Sequence, residues 1–241
     1  PMLRIEHFSK QYAPGRYAVQ DLTLHVAPGE ICGFLGHNGA GKSTTLRAVA
    51  GVLDFTEGDI IVAGSSIRTR PVQAKQAMAF LPDNPDLYDF LTGIQYLNFI
   101  ADVCGIPADL RTERIARYAG DFALTGDLGS PIGSYSHGMK QKLALISAFL
   151  RQPKLLLLDE PFVGLDPNAA YTLKQLLSQL CQAGGAGFFS THVLEVAEKL
   201  CDKLAILRAG RLIEAGPTAE IVGKSNLEEV FLQLEREEAA Q

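Results

Sequence analysis

The residues Gly36-His37-Asn38-Gly39-Ala40-Gly41-Lys42-Ser43 follow the pattern G-x-x-x-x-G-K-[ST]. Residue frequencies alone produce the bare pattern in roughly one chain in a hundred of this length, so its neighbours decide its meaning. It follows directly on an apolar run at 31–35 and precedes a helix-compatible stretch at 44–50 that opens on Thr44. In a strand, loop, helix context, glycines let successive backbone N–H groups turn inward, and the helix start adds partial positive charge. The expected chemistry is phosphate binding, with Lys42 reaching the β- and γ-phosphates and Ser43 offering its hydroxyl to Mg²⁺.

A second group of candidates closes the apolar run at 154–160, which ends in Asp159 and Glu160. Open parallel sheets bind ligands at the C-terminal edge of their strands. Asp159 there suits Mg²⁺, directly or through water, and Glu160 is placed to orient or deprotonate an attacking water. Without the phosphate loop the pair fits equally well as two solvated acids at a strand end. Ser136-His137-Gly138-Met139 precedes a helical stripe that begins at Leu143, so Ser136 fits an N-cap with free N–H groups behind it. By itself that marks only a helix start. His192, after the run 187–190, fits either a phosphate sensor or an ordinary loop histidine.

The elements that must hold these residues follow from hydropathy patterning. Residues 3–7 and 22–26 largely alternate apolar with polar, as half-buried strands do, with Pro14-Gly15 as a turn between them. A small antiparallel sheet is expected at the N-terminus. The runs 31–35, 155–158 and 187–190 do not alternate, which suits parallel strands covered on both faces. From about 84 to 150 the texture becomes helical, with stripes Ile94, Leu97, Ile100, Cys104 and Leu143, Ile146, Leu150. The tail at 226–238 carries Leu227, Val230, Phe231 and Leu234 at helical spacing, which reads as a last helix docked on its own core or as a partner-binding face.

At 241 residues, with 47% hydrophobic and 20% charged residues, the chain can bury its own core and is neither disordered nor fibrous. Its net charge is −5 and it has no run of Lys or Arg, which argues against a nucleic-acid partner. No apolar stretch is long enough to cross a bilayer and residues 2–10 contain no signal segment, so a cytosolic chain is expected unless another protein holds it at a membrane. Pro1 before Met2 is read as a cloning remnant. Cys32, Cys104, Cys181 and Cys201 lack metal or disulfide spacing and are expected to be small buried hydrophobes.

In this order the motifs resemble those of the nucleotide-binding subunits of ABC transporters, over nearly the whole length from Leu3 to about Leu234. Gly36 to Thr44 looks like their Walker A loop and 155–159 like their Walker B strand. Glu160 looks like the catalytic glutamate, Gly164-Leu165-Asp166-Pro167 like the D-loop, and His192 falls at the switch histidine. Tyr12 falls at the aromatic that stacks on adenine, though a tyrosine packed at a strand end is the plain alternative. Tyr135-Ser136-His137-Gly138-Met139 looks like the family signature Leu-Ser-Gly-Gly-Gln with Ser136 and Gly138 kept. At Pro82-Asp83-Asn84 the family usually carries a glutamine that ligates Mg²⁺, and Asp83 stands in its place as a harder, shorter oxygen ligand.

The resemblance implies an α/β fold: a P-loop NTPase core with a parallel sheet, an N-terminal antiparallel β subdomain and an inserted helical subdomain at about 84–150, all within one ATPase domain spanning 2–236. ATP and Mg²⁺ are the implied ligands. Two such domains meet head to tail in the family, so Ser136, Gly138 and Asp166 would complete the site of a second copy or a homologous subunit. The implied partners are that subunit and a separate transmembrane permease, which would hold the chain on the cytoplasmic face of the membrane. Leu87, Tyr88, Phe90 and Leu91 are candidate contacts for the permease, or plain packing of the helical lobe. Ser136 to Gln141, with the segment from Asp159 to Pro167, looks most like the ABC-2-type branch, whose members mostly export drugs, lipids, polysaccharides or peptides. The alternative is a soluble ABC-type ATPase that scaffolds another assembly without a permease.

Overall fold

The structure is a computed structural model that describes residues 1–223 and 225–239, and the side chains of 234–239 lie outside the description. The first two strands, β1 (Leu3–Ala13) and β2 (Arg16–Val26), form an antiparallel hairpin around Pro14-Gly15. Both run further toward the turn than alternation alone indicates, because ladder pairs such as Gln11 with Tyr17 continue the pairing where no core face is left to mark it. With β4 (Glu57–Val62) and the two-residue β5 (Ser65–Ser66) they make a sheet of order β2-β1-β4-β5.

The second sheet carries the chemistry. It contains β3 (Ile31–Leu35), β6 (Met78–Leu81), β7 (Leu155–Asp159), β8 (Ala186–Thr191), β9 (Lys203–Arg208) and β10 (Arg211–Pro217), in the order β10-β9-β3-β8-β7-β6. Strands β6 to β9 and β3 are parallel, and β10 closes the edge antiparallel to β9. Leu155 and Leu157 enter a core with Phe34, Leu46 and Phe188, while Leu156 and Leu158 enter the opposite core with Leu35, Leu145 and Phe189. Burial on both faces explains why these runs do not alternate, and each such side chain contributes about 1.5–3 kcal/mol.

Nine α-helices lie among the described residues. α1 (Lys42–Val49) follows β3, and α2 (Pro71–Gln76) precedes β6. The helical lobe comprises α3 (Gly93–Val103), α4 (Ala108–Asp121) and α5 (His137–Leu150). α6 (Pro167–Gln182) leads into β8 and α7 (Leu194–Leu200) into β9, and α8 (Thr218–Val222) and α9 (Leu227–Ala239) close the chain. α3 begins with a reciprocal capping box between Thr92 and Gln95, which satisfies two of its free donors. Its buried residues are Gly93, Tyr96, Leu97 and Ala101, with Ile94 and Ile100 partly buried against the same core, so the expected stripe packs inward except at its last position, where Cys104 is exposed rather than buried. The stripe Leu143, Ile146, Leu150 on α5 is wholly buried.

Cys32, Cys181 and Cys201 are buried free thiols; burial pushes all three up, Cys181 to about 11. α9 docks on its own molecule. Leu227 is completely buried, its N–H donates to Glu198 Oε2 at 2.9 Å, and Phe231 packs edge-on against His37 with ring centroids 5.6 Å apart. Leu234 falls outside the described side chains. Among the described residues no helix is long and apolar enough to cross a membrane.

Candidate active site

β3 ends at Leu35 and the chain turns through 36–41 into α1. Gly41 holds φ 107°, and a Cβ there would stand 2.7 Å from Ala18 O, so only glycine allows the loop to fold back on β2. As N-cap it brings no side chain, and α1 starts without a side-chain cap. The N–H groups of Lys42, Ser43 and Thr44 therefore have no acceptor within the helix and face an anion's position with the helix dipole behind them. Tyr12 stands at the rim, 62% exposed, its Oη 3.4 Å from Thr44 Oγ1. An exposed ring beside the loop suits stacking on a base better than core packing.

Lys42 is buried, and its ammonium donates to Gly36 O at 2.5 Å and His37 O at 3.1 Å. Burial pushes it below the usual lysine range, against the opposing pull of Glu160 and Asp159. These carboxylates come from the C-terminal end of β7, two strands away from β3 in the sheet, with β8 between them. Glu160 Oε1 lies 4.0 Å from Lys42 Nζ, too far for a hydrogen bond, and Glu160 Oε2 is 3.0 Å from His192 Nδ1 and accepts the His192 N–H at 3.3 Å. Glu160 adopts φ 48°, a left-handed conformation that costs a non-glycine residue of order 1–3 kcal/mol and persists where its surroundings hold it. Its N–H is held by Ser190 O at 3.2 Å and Ser190 Oγ at 3.0 Å.

Two buried oxygens in this cluster, Asp159 Oδ2 and Glu160 Oε1, have no hydrogen-bond partner among the described residues. A buried carboxylate oxygen without a partner is costly unless a cation or water completes it. The donor set of Asp159 and the Ser43 hydroxyl is all oxygen, as Mg²⁺ requires, so the residues fit that ion. Asp83 lies at the same sheet edge, since β6 pairs with β7 through Leu81 and Leu158, and Asp83 follows two residues later. It is exposed, with Oδ1 accepting the Asn84 N–H at 3.0 Å.

Ser136, Gly138 and Asp166 gather in a second group. Ser136 Oγ caps α5 by accepting the Met139 N–H at 3.2 Å, and Asp166 caps α6 by accepting the Ala169 N–H at 2.9 Å. Lys142 Nζ lies 2.7 Å from Asp166 Oδ2, and this pairing, with the Ala169 bond, holds Asp166 below the usual carboxylate range. Between them sits Gly164 at φ 80°, where a Cβ would stand 2.7 Å from His137 Cδ2. The strand and helix signals located Lys42, Asp159, Glu160 and Ser136, but Lys142 and Ser190 carry no local signal.

The ABC transporter family model matches residues 19–163. The ABC-type transporter ATP-binding protein EcsA of Bacillus subtilis is 31% identical over 226 residues, 92% of each chain. An uncharacterized ABC transporter ATP-binding protein of Nostoc is 34% identical over 211 residues, 87% of this chain. The chain spans 62 to 65% of the length of three relatives it matches, including the Nostoc protein. A solved ATP-binding subunit of an ABC transporter superposes with a TM-score of 0.92 at 32% identity, over 97% of this chain and 99% of its own.

Proposed function

The chain belongs to the ABC transporter ATP-binding family, and from that premise we propose that it binds Mg·ATP, hydrolyses it between two paired cassettes and drives a separate membrane permease in export. The cassette is read as residues 2–236, with 84–150 as its helical insertion. The observation that carries the reading is the cluster of Lys42, Asp159, Glu160 and His192 at the mouth of the phosphate loop, with two buried carboxylate oxygens that lack a hydrogen-bond partner among the described residues.

On nucleotide binding, Lys42 exchanges the carbonyls of Gly36 and His37 for the β- and γ-phosphates, and the loop N–H groups and helix start hold the remaining charge. Tyr12 supports the base. Ser43 and Asp159, with Asp83 as a further oxygen donor, would hold Mg²⁺, which would supply charge neutralisation at the phosphates. Glu160 accepts a proton from the water whose oxygen bonds to the γ-phosphorus as the bond to the β–γ bridging oxygen breaks, giving ADP and phosphate. His192 keeps the Glu160 carboxylate aimed at that water. Ser136, Gly138 and Asp166 complete the closed site formed with the opposing cassette, identical or homologous.

The test is Glu160→Gln. It keeps the shape and one acceptor of the side chain but not the base, so phosphate release falls by about 10²–10⁴-fold while Mg·ATP still binds and an ATP-bound dimer accumulates in gel filtration. Near-parent turnover moves the base elsewhere.

A further inference from the structure

Ser190 stands one residue before the end of β8, and the parallel register of β7 and β8 sets it beside Asp159. Its side chain has no exposed surface. Its hydroxyl donates to Asp159 Oδ1 at 2.5 Å and accepts the Glu160 N–H at 3.0 Å. A hydroxyl has one proton; giving it to Asp159 leaves only lone pairs for the Glu160 N–H, so the two bonds fix each other's direction.

We infer that Ser190 is a positioning residue for both carboxylates, a role that rests on the reading of Asp159 and Glu160 given above. With Oδ1 engaged, the Asp159 carboxylate cannot rotate freely, and buried, unpartnered Oδ2 is the oxygen left for a divalent cation or its water. The same hydroxyl, with the Ser190 carbonyl, grips the Glu160 N–H at the residue whose backbone is left-handed. That grip keeps Glu160 Oε2 against His192 Nδ1. Ser190 touches neither water nor nucleotide in this scheme. It acts through its two neighbours, as outer-shell partners of metal ligands do.

The experiment compares Ser190→Ala, Ser190→Thr and Ser190→Val with the parent chain. Threonine and valine share a shape and differ only in the hydroxyl, which separates hydrogen bonding from packing. Calorimetry follows ATP binding in EDTA and across a Mg²⁺ titration, and phosphate release supplies kcat and KM. Loss of the hydroxyl in the alanine and valine variants is expected to raise the Mg²⁺ needed for half-maximal stimulation of binding, and to lower kcat, each by about 10–100-fold. ATP affinity in EDTA stays at the parent value, and the threonine variant recovers both effects relative to valine. Equal behaviour of threonine and valine, or a parent-like Mg²⁺ requirement in the alanine variant even with a lowered melting temperature, overturns the positioning role. A parent whose ATP binding is indifferent to Mg²⁺ overturns the Mg·ATP reading itself, a result distinct from either.

Discussion

Lys42 carries two jobs that its burial makes hard to share. Its ammonium satisfies the carbonyls of Gly36 and His37 within the loop, and it also lies 4.0 Å from Glu160 Oε1. Each hydrogen bond to a charged group contributes about 1.5–3 kcal/mol, so Lys42→Ala should weaken Mg·ATP binding by roughly 10–100-fold. Calorimetry that found unchanged affinity would remove phosphate binding from this loop. Asp83 is the residue-scale departure with a metal-dependent consequence. A carboxylate near a triphosphate is favourable with Mg²⁺ present and repulsive without it. The gap between ATP affinity with and without Mg²⁺ should therefore shrink in Asp83→Gln and Asp83→Ala, and an identical gap in all three proteins would show that the exposed carboxylate serves only its own backbone.

At the scale of elements, α5 begins with a residue that has both a structural and a chemical duty. Ser136 Oγ satisfies the Met139 N–H, so Ser136→Ala should cost about 1 kcal/mol of stability, whereas Ser136→Asn, which also caps, should cost little. Both lack the hydroxyl proposed to face the γ-phosphate of the opposing cassette. Thermal melts should separate the two variants while ATP-driven dimer formation fails in both. Dimerisation by Ser136→Asn at the parent's ATP concentration would confine Ser136 to its helix cap. The same helix start is pinned from below, because His137 lies over Gly164 and Lys142 reaches Asp166. Two segments distant in sequence are thus held in contact.

Across the whole molecule, exposed aromatic side chains occur away from the phosphate loop as well as at it. Tyr88, Phe90 and Phe99 form an aromatic cluster on the helical lobe, with Tyr88 5.9 Å from each of the other two rings. Phe90 is 81% exposed and Val103, on the same lobe, 69%. Leu87, by contrast, is buried, and Leu91 packs against the core, so of the four candidate contacts Tyr88 and Phe90 are the accessible ones. This exposed aromatic cluster is where the permease contact proposed above is best tested. Replacing Phe90 and Phe99 by serine should leave the melting temperature and the ATP turnover of the isolated chain near parent values, and should abolish co-purification with the permease from detergent-solubilised membranes. Retained co-purification would place the contact elsewhere.

The sequence by itself determined the phosphate loop, the strand that delivers Asp159 and Glu160, the Ser136 cap and the two-faced burial of β3, β7 and β8, because each of these is written in neighbouring residues: turn-forming glycines, a run of leucines, a serine before a helical stripe. Only the tertiary structure decided that Cys104 at the end of α3 stays exposed, that Lys142 meets Asp166, that Phe231 packs on His37 and that Ser190 binds Asp159 from 31 residues away. Parallel strands are joined through crossovers, so their order and register follow from how the helices pack on the sheet, and local periodicity carries no record of that choice.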